Sequence, residues 1–412
     1  MMQQLLAFRQ SAKAVPIVDI LRLFLGTRLL LILVAYLCLI LFPLPGHTSP
    51  QTPIDVPALL AAWNHWDMVH YVQIAQAGYR HVADTAFFPL FPLLIRTLAG
   101  PFGHHAYPLA ALLVSNLALL AALVMLYRIA IDTLPEQPAR RALLYLCIFP
   151  TAFFFFAGYN ESLFLLLSCS TLFALRRQRW VLAGALGLLA ALTRSAGALL
   201  IFPYLYELLH ARRTPFLSLS QPSDRQHSAH DEPRSPGAGN ACARLLGLLL
   251  IPLGTLLYCS YCWRHFGDPL AFARVQKFWG RSLTPPWLGI LDSFSQLFQH
   301  LPFGSFFEVH VLLDLIATLG FLFLGILSWR YVRASYALWM SLLLLYTLCS
   351  SAPANPDHLV SNQRFVLEMF PGFFVLGVLG ARHPRLHLAL MIAFPALQAL
   401  LAALFLLDRW MV

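Results

Sequence analysis

Long apolar stretches, separated by short polar gaps, run along almost the whole of this chain. They are rich in Leu, Phe and Ala and do not alternate between apolar and polar positions, so they predict helices rather than strands. About eleven approach the roughly 17–25 residues that a membrane crossing needs, some of them shorter or broken. They are 20–42, 107–128, 141–157, 160–176, 180–194, 195–210, 244–263, 308–328, 335–351, 365–381 and 387–407.

Composition places these helices in lipid. Hydrophobic residues make up 59% of the 412 residues, charged residues 11%, and the mean hydropathy is +0.69. A soluble protein cannot bury that much apolar surface, and hydrocarbon admits only helices or closed barrels. We therefore predict an all-α polytopic membrane protein that forms a single domain over 1–412. The first stretch, 20–42, is too long for a signal-peptide core and has no Ala-x-Ala cleavage site, so we expect an uncleaved span.

The basic residues predict the topology. The net charge is +10, but the charges lie in the gaps between apolar stretches and form no folded basic domain, which argues against nucleic acid as a partner. About two thirds of the 28 Lys and Arg fall on the side that holds the N-terminus. This bias favours a cytoplasmic N-terminus and an extracytoplasmic C-terminus. Segments 43–106, 264–307 and 352–364 are then extracytoplasmic, and 211–243, rich in Ser, Pro and His, is expected to be a flexible cytoplasmic linker.

The seven cysteines predict no metal or disulfide framework. Most lie inside apolar stretches, where Cys behaves as a small hydrophobe. Cys259 and Cys262 form a CxxC within a span, without the second pair of ligands that a zinc site needs.

The first extracytoplasmic segment places an acid among aromatic residues. Asp67, Tyr71, Ile74 and Gly78 share the spacing of one helix face, with Asp67 near the N-terminal end and Trp66 before it. Trp63 and Trp66 are of the residue type that settles at membrane–water interfaces, so the helix is expected to lie along the membrane surface. Asp67 is therefore a candidate catalytic carboxylate. A favourable interaction of its charge with the helix dipole is the simpler alternative.

Two polar clusters interrupt the apolar stretches that follow. Asn160 and Glu161 lie at the mouth of a predicted hairpin, where polar groups are costly unless they face a wet cavity or a partner. Asn160 is alternatively the cap of the next helix. Arg194 lies at the membrane edge, and its natural partner is a phosphate or a carboxylate. An ion pair between Arg194 and Glu161 is the alternative.

Further cations lie in the later extracytoplasmic segments. Residues 263–281 include two Trp and four cations, which predicts an amphipathic surface helix suited to an anionic lipid head group, or alternatively a simple interfacial anchor. Arg364 follows in the third segment. We expect Arg194, Arg281 and Arg364 to converge on one phosphate.

Taken in order over about 20–380, these motifs resemble the PIG-V family of mannosyltransferases. They are Trp66-Asp67-x3-Tyr71-x2-Ile74-Ala75-x2-Gly78-Tyr79, Phe88-Pro89-Leu90-x-Pro92, Phe149-Pro150-Thr151-Ala152-Phe153, Tyr159-x-Glu161-Ser162, Thr193-Arg194-Ser195-x-Gly197 and Arg364-Phe365. The resemblance implies a GT-C glycosyltransferase fold with amphipathic helices in the long outer loops. It also implies a polyprenyl-phosphate-linked donor, with mannose as the sugar in the best-known members, transfer on the extracytoplasmic face, and Asp67 as the catalytic residue. The family's GPI acceptor is not carried over, because nothing in this chain identifies an acceptor.

The chemistry of such a transfer assigns a role to each candidate residue. Asp67 is the expected base for an acceptor hydroxyl, and a single displacement then inverts the anomeric centre. The three arginines are expected to stabilise the phosphate. Trp66, Tyr71 and Trp279 are expected to pack on sugar faces, and His70, Asn160, Glu161 and Gln276 to bind hydroxyls. Membrane lipids and a lipid or glycan acceptor are the other expected partners.

Metal and two other functions remain as alternatives at this stage. His65, Asp67 and His70 could ligate a divalent ion, but no second acid lies near Asp67, so we expect no metal cofactor. A GT-C transferase that modifies protein or lipid A with another sugar has the same outline. A lipid or sugar transporter would explain the broken helices, but it predicts midplane charges and inverted repeats.

Overall fold

A computed structural model describes residues 15–42, 56–210, 238–300 and 302–409 as an all-helical fold with one two-residue β-ladder. The predicted all-α class is confirmed. The α-helices of the first half are α1 Ile17–Leu41, α2 Val56–Ala61, α3 Asp67–Ala77, α4 Leu90–Ala99, α5 Ala106–Ile131, α6 Glu136–Ile148, α7 Glu161–Arg176, α8 Trp180–Ala191 and α9 Ile201–His210. Those of the second half are α10 Ala238–Phe266, α11 Ala271–Arg274, α12 Leu288–Ser295, α13 Phe306–Tyr331, α14 Ala334–Leu348, α15 Asn362–Phe365, α16 Phe370–Arg382 and α17 Pro384–Leu406.

Short 3-10 and π segments connect these helices. The 3-10 segments are Val82–Ala86, Gly100–Phe102, Ala152–Phe155, Ser195–Leu200, Val275–Trp279 and Val366–Glu368, and the π segment is Gln296–His300. The strands β1 Ser282–Leu283 and β2 Ser350–Ser351 are antiparallel, with Ser282 opposite Ser351. This ladder joins the second predicted extracytoplasmic segment to the end of α14.

Each predicted span contains a helix, but most of these helices are short. Within the described part of the chain, five helices are long and apolar enough to cross a membrane: α1, α5, α10 from Ala241, α13 and α17. A sixth crossing results if Asn362–Glu368 and Phe370–Arg382, bent by 85°, form one span. At about 1.5 Å per residue, a 12-residue helix such as α8 is shorter than a hydrocarbon core of about 30 Å. A count of eleven full spans therefore remains a prediction.

Local chemistry explains several helix ends that the hydrophobic pattern misplaced. The span predicted at 141–157 ends as α-helix at Ile148, because Phe149 precedes Pro150 and adopts extended backbone. The span predicted at 195–210 begins as a 3-10 segment. The amphipathic helix predicted around 263–281 is also wrong: α10 stops at Phe266, Gly267 turns with φ +71, and two short helical pieces follow.

Two other predictions change at the ends of the first group of helices. The linker predicted at 211–243 lies outside the described residues up to 237, and its last residues belong to α10. Trp63 is not an interfacial residue: it is 1% exposed and packs on Phe156 and Phe405 at ring-centroid distances of 4.6 and 6.0 Å.

Helix α7 lies at the centre of the core, with thirteen of its sixteen residues buried. It packs between α5 and α8, and α8 in turn packs against α10. The packing of α8 on α10 depends on glycine: a Cβ on Gly184 would lie 2.2 Å from the Gly247 carbonyl oxygen. The two helix backbones are therefore in direct contact, and this contact fixes where Thr193 and Arg194, just after α8, emerge.

We expect Gly184→Ala to destabilise the protein by about 1–3 kcal/mol, because the added methyl group must push two helix backbones apart. Thermal unfolding of the purified protein in detergent measures this. Gly26→Ala is the matched control, since a Cβ there meets nothing within 4 Å. Equal stability of the two variants would contradict the close approach of α8 and α10.

Candidate active site

A cavity of about 410 Å³ brings together residues that are far apart in the sequence. Its walls come from the start of α3, the Phe87 region, the turn before α7, the turn after α8, residues 276–281 and the segment between α14 and α16. Ten of the eleven predicted site residues line it: Trp66, Asp67, His70, Tyr71, Asn160, Arg194, Gln276, Trp279, Arg281 and Arg364. The eleventh, Glu161, lies directly behind this wall and contacts two of the arginines. The volume of the cavity lies within the range of small-molecule sites.

Asp67 is the first residue of α3, where the helix dipole favours a carboxylate. Its backbone N–H donates to Tyr159 Oη at 3.2 Å, and that hydroxyl donates to the His65 carbonyl at 3.3 Å. Trp66, just before the helix, has a φ of 53°, a conformation that costs a non-glycine residue about 1–3 kcal/mol and is frequent at functional sites. The turn thus aims Asp67 at the cavity, with 24% of its side chain exposed.

A network of ion pairs crosses the floor of the cavity. Arg364 Nη1 lies 2.8 Å from Asp67 Oδ2, and Arg364 Nε donates to Glu161 Oε1 at 2.6 Å. Arg194 Nη1 lies 3.3 Å from the same Glu161 oxygen and also pairs with Glu368. The alternative of an Arg194–Glu161 ion pair is therefore realised, and the charges of both arginines are largely neutralised by carboxylates.

Arg281 differs from the other two arginines. Its guanidinium donates to the carbonyls of Ser350, at 3.0 Å, and Val360, at 2.8 Å, and it lies 5.0 Å from the Phe365 ring centroid. Among the described residues it makes no ion pair. Burial lowers the pKa of Arg281 to about 10, so the group is charged at neutral pH. It is a partly buried cation at the cavity wall whose charge lacks a carboxylate partner among the described residues, which suits an incoming anion.

Aromatic rings cover the opposite wall. His70 stacks on Phe87 with ring centroids 4.7 Å apart and meets the edge of Trp279 at 5.9 Å. Tyr71 is only 4% exposed and packs edge-on against Phe87, and its burial raises the pKa of its hydroxyl well above the ordinary value. Trp66 and Trp279 keep more than a third of their surface exposed. These two residues are therefore more accessible to a ligand than Tyr71.

The remaining predicted residues hold the cavity together. Asn160 occupies the cap position of α7 but makes no side-chain cap bond. Its Nδ2 donates instead to the Thr193 carbonyl at 3.0 Å, which joins α7 to the turn after α8. Gln276 donates to the Phe272 carbonyl at 3.4 Å. Glu368 was not among the predicted site residues, although an acid within an apolar stretch is itself a signal of function.

The histidines next to Asp67 have other contacts. His65 Nδ1 lies 3.3 Å from Asp408 Oδ1, and burial lowers the pKa of its imidazole. His70 is held by its ring stacking on Phe87. The sequence indicates His65, Asp67 and His70 as possible metal ligands. Each of these side chains contacts another protein group, Asp67 through its ion pair with Arg364.

The fold and this cavity define a helical membrane protein with an acidic, arginine-rich and aromatic site. The family model described as mannosyltransferase (PIG-V) matches residues 17–221, which include Asp67, Glu161 and Arg194. This match covers just under half of the chain, and it is to the family that the motifs indicated.

Individual relatives share parts of the chain. It is 38% identical over 166 residues to GPI alpha-1,6-mannosyltransferase 2 of Rattus norvegicus, covering 37% of this chain and 33% of the relative. It is 28% identical over 319 residues to the Cricetulus griseus protein of that name, covering 70% of this chain and 62% of the relative. GPI mannosyltransferase 2 of Yarrowia lipolytica is 30% identical, covering 43% of this chain and 50% of the relative. The chain thus spans from about a third to just under two thirds of the length of these relatives.

Among solved structures, the crystal structure of the Archaeoglobus fulgidus oligosaccharyltransferase tethered with an acceptor peptide is similar at a TM-score of 0.41 and 13% identity. The likeness covers 94% of this chain and 55% of that chain.

Proposed function

We propose that this protein is an inverting glycosyltransferase of the GT-C type. In this proposal it moves a mannosyl residue from a polyprenyl-phosphate donor to a hydroxyl of a lipid or glycan acceptor, on the extracytoplasmic face of the membrane. The observation that carries the proposal is the meeting of Asp67 with the uncompensated Arg281 in one aromatic-walled cavity. The match to a mannosyltransferase family model, and the names of the relatives, support mannose as the sugar.

Asp67 is the proposed general base. The acceptor oxygen attacks the anomeric carbon and loses its proton to Asp67, while the bond from that carbon to the phosphate oxygen breaks. Polyprenyl phosphate leaves with the bonding electrons, so the leaving group needs no protonation. Arg364 holds the Asp67 carboxylate from one side, and the exposed part of the carboxylate faces the cavity. We propose that this step uses no metal ion.

Arg281 is the proposed partner of the donor phosphate. Arg194 and Arg364 are already paired with Glu368, Glu161 and Asp67, so they are less free to bind an anion. The sequence predicts that three arginines bind one phosphate. We now propose that Arg281 alone is the principal cation at the phosphate. In the low-dielectric surroundings of a buried site, one such cation stabilises developing negative charge strongly.

Trp66 and Trp279 are the proposed sugar platforms, because their exposed rings flank Asp67 and Arg281 respectively. The membrane orientation is also part of the proposal. Cavity walls come from all three segments that the basic-residue bias assigns to the extracytoplasmic side, and this supports an extracytoplasmic active site with the N-terminus in the cytoplasm.

We expect Arg281→Gln to raise the KM for the polyprenyl-phosphate donor roughly tenfold to 100-fold, since it removes charge-assisted hydrogen bonds of about 1.5–3 kcal/mol. Steady-state transfer at varied donor concentration measures this. Arg274→Gln is the control, because Arg274 lies in the same segment with 72% of its side chain exposed and pairs only at the surface with Asp268. An unchanged KM in Arg281→Gln would remove Arg281 from the phosphate site.

The sugar and the enzyme class are tested with purified protein supplied with labelled polyprenyl-phosphate mannose, glucose or N-acetylglucosamine. Transfer of mannose in preference to the other sugars supports the proposal, and transfer that persists after exhaustive chelation supports a chemical step without a metal ion. Preference for another sugar would point to a different GT-C transferase.

A further inference from the structure

A second cluster of ionisable side chains lies outside the cavity, at the start of α13. His310 and Asp314 are one helical turn apart, and Asp357 approaches them from the segment before α15. His310 Nδ1 lies 2.6 Å from Asp357 Oδ2 and 3.8 Å from Asp314 Oδ2. The three residues are 5%, 0% and 1% exposed. None of them lines the cavity.

Hydrogen bonds orient the two carboxylates toward a common centre. Asp314 Oδ1 accepts from the Gln363 backbone N–H at 2.7 Å, and Asp357 Oδ1 accepts from the Leu359 backbone N–H at 2.9 Å. Each acid therefore uses one oxygen to hold its own position and directs the other at the cluster. One ligand atom of each residue, a histidine nitrogen or a carboxylate oxygen, lies within 4.8 Å of the other two. This is the arrangement in which outer hydrogen bonds orient the ligands of a metal.

The charge of the cluster is not balanced by protein groups. Two carboxylates are buried against each other, and among the described residues Asp314 Oδ2 has no hydrogen-bond partner. In the part of the chain that the structure describes, His310 is the only basic side chain within ion-pair distance of either acid. Arg281 attracts Asp314 only from beyond ion-pair distance, and its Nη1 and Nη2 each donate to a carbonyl, of Ser350 and Val360 respectively. Two buried acids with one imidazole lack a positive charge.

We propose that His310, Asp314 and Asp357 bind a divalent transition-metal ion. A donor set of two carboxylate oxygens and one imidazole nitrogen suits Zn²⁺ or Mn²⁺ better than Mg²⁺, which prefers oxygen alone. Binding replaces the proton that His310 Nδ1 shares with Asp357, so the two nearest ligand atoms move apart to the roughly 3 Å that metal ligands keep from one another. This inference differs from the sequence-based expectation of no metal, which considered the cysteines and the side chains of His65, Asp67 and His70.

The position of the cluster gives the ion a structural role. It joins α13 to residues 357–363, which lead directly into Arg364. Asn362 Nδ2 donates to Thr318 Oγ1 at 3.0 Å, and Thr318 donates to the Asp314 carbonyl at 2.7 Å, so the same two elements are tied at a second point. A metal here would fix the segment that holds Arg364 against Asp67, without touching the reacting atoms.

The test uses the full chain, purified without a histidine tag, stripped with a chelator and titrated with Zn²⁺ or Mn²⁺. We expect about one equivalent bound per chain and a rise in the thermal unfolding temperature on metal addition. Asp314→Asn should lower the affinity at least tenfold and abolish the thermal response. His358→Gln is the matched control: His358 pairs with Asp292 at 2.9 Å in the same region, and loss of that two-member pair should leave metal binding unchanged.

Two results would overturn the metal site. If the stripped protein neither binds metal nor changes its unfolding temperature, and Asp314→Asn is as stable as the wild type, the two acids share a proton instead. If Asp314→Asn binds metal as tightly as the wild type, the ion sits elsewhere. Neither readout depends on sugar transfer, so this inference and the proposed function fail separately.

Discussion

Asp67→Asn should reduce mannosyl transfer by roughly 10²–10⁴-fold, the contribution typical of a general base, while the protein still inserts and folds. Asparagine keeps the size of the side chain and an oxygen that can accept from Arg364, so the ion-pair network loses a charge but keeps its hydrogen bond. Asparagine cannot take up the proton of the acceptor hydroxyl. Transfer from labelled polyprenyl-phosphate mannose, measured in matched detergent preparations, gives the result.

Asp84→Asn is the control for this variant. Asp84 lies in the same predicted extracytoplasmic segment, and its Oδ2 accepts from the backbone N–H groups of Arg80, at 2.9 Å, and His81, at 2.8 Å. Asparagine can still accept these bonds, so activity should stay close to wild type. Normal turnover by Asp67→Asn would remove Asp67 from the reaction.

Arg364→Met should destabilise the protein by about 3–5 kcal/mol, because it leaves Glu161 buried with reduced compensation. Glu161 is fully buried and its Oε1 is shared by Arg364 and Arg194. Its Oε2 has no hydrogen-bond partner in the part of the chain that the structure describes. The effect is measured as a loss of thermal stability in detergent, which does not depend on knowing the acceptor.

A second substitution distinguishes charge burial from lost packing. Adding Glu161→Gln to Arg364→Met removes the uncompensated charge at nearly constant volume, so the double variant should recover most of the lost stability. If the two single effects simply add, Arg364 and Glu161 are not energetically coupled, and the ion-pair network does not hold the floor of the cavity.

The hydrophobic pattern predicted where helices occur but not how long they are. Apolar periodicity reports burial, and α7 is buried on almost every side by protein rather than by lipid. A helix buried in protein is as apolar as a helix that crosses the membrane, so its composition does not show how long it is. Its neighbour α6 ends early because of Pro150, and α10 begins within what composition suggested was linker.

The site could be predicted because polar residues are conspicuous in an apolar chain. An acid, an arginine or an asparagine in such surroundings is costly unless it has a partner or a function. Sequence identified Asp67, Glu161, Arg194 and Arg364 individually. It could not show that Arg364 contacts Asp67 across nearly 300 positions of chain, since this contact follows from the tertiary packing.

For the same reason, sequence could not separate the roles of the arginines. Arg194, Arg281 and Arg364 all lie beside polar residues on the side predicted to be extracytoplasmic, and only their contacts show which of them is already neutralised. The cluster of His310, Asp314 and Asp357 was missed because two of its members are on α13 and the third is 43 positions later. Their common centre exists only in the folded chain.

The central claim is that the cavity transfers a sugar from a polyprenyl phosphate, with Asp67 as base. The most direct measurement uses proteoliposomes that contain purified protein, doubly labelled polyprenyl-phosphate mannose and a membrane lipid extract as the source of acceptor. The account predicts that one polyprenyl phosphate is released for each mannose that appears in a new product, with wild type but not with Asp67→Asn. An intact donor that instead crosses the bilayer when wild-type protein is present would contradict it and identify a transporter.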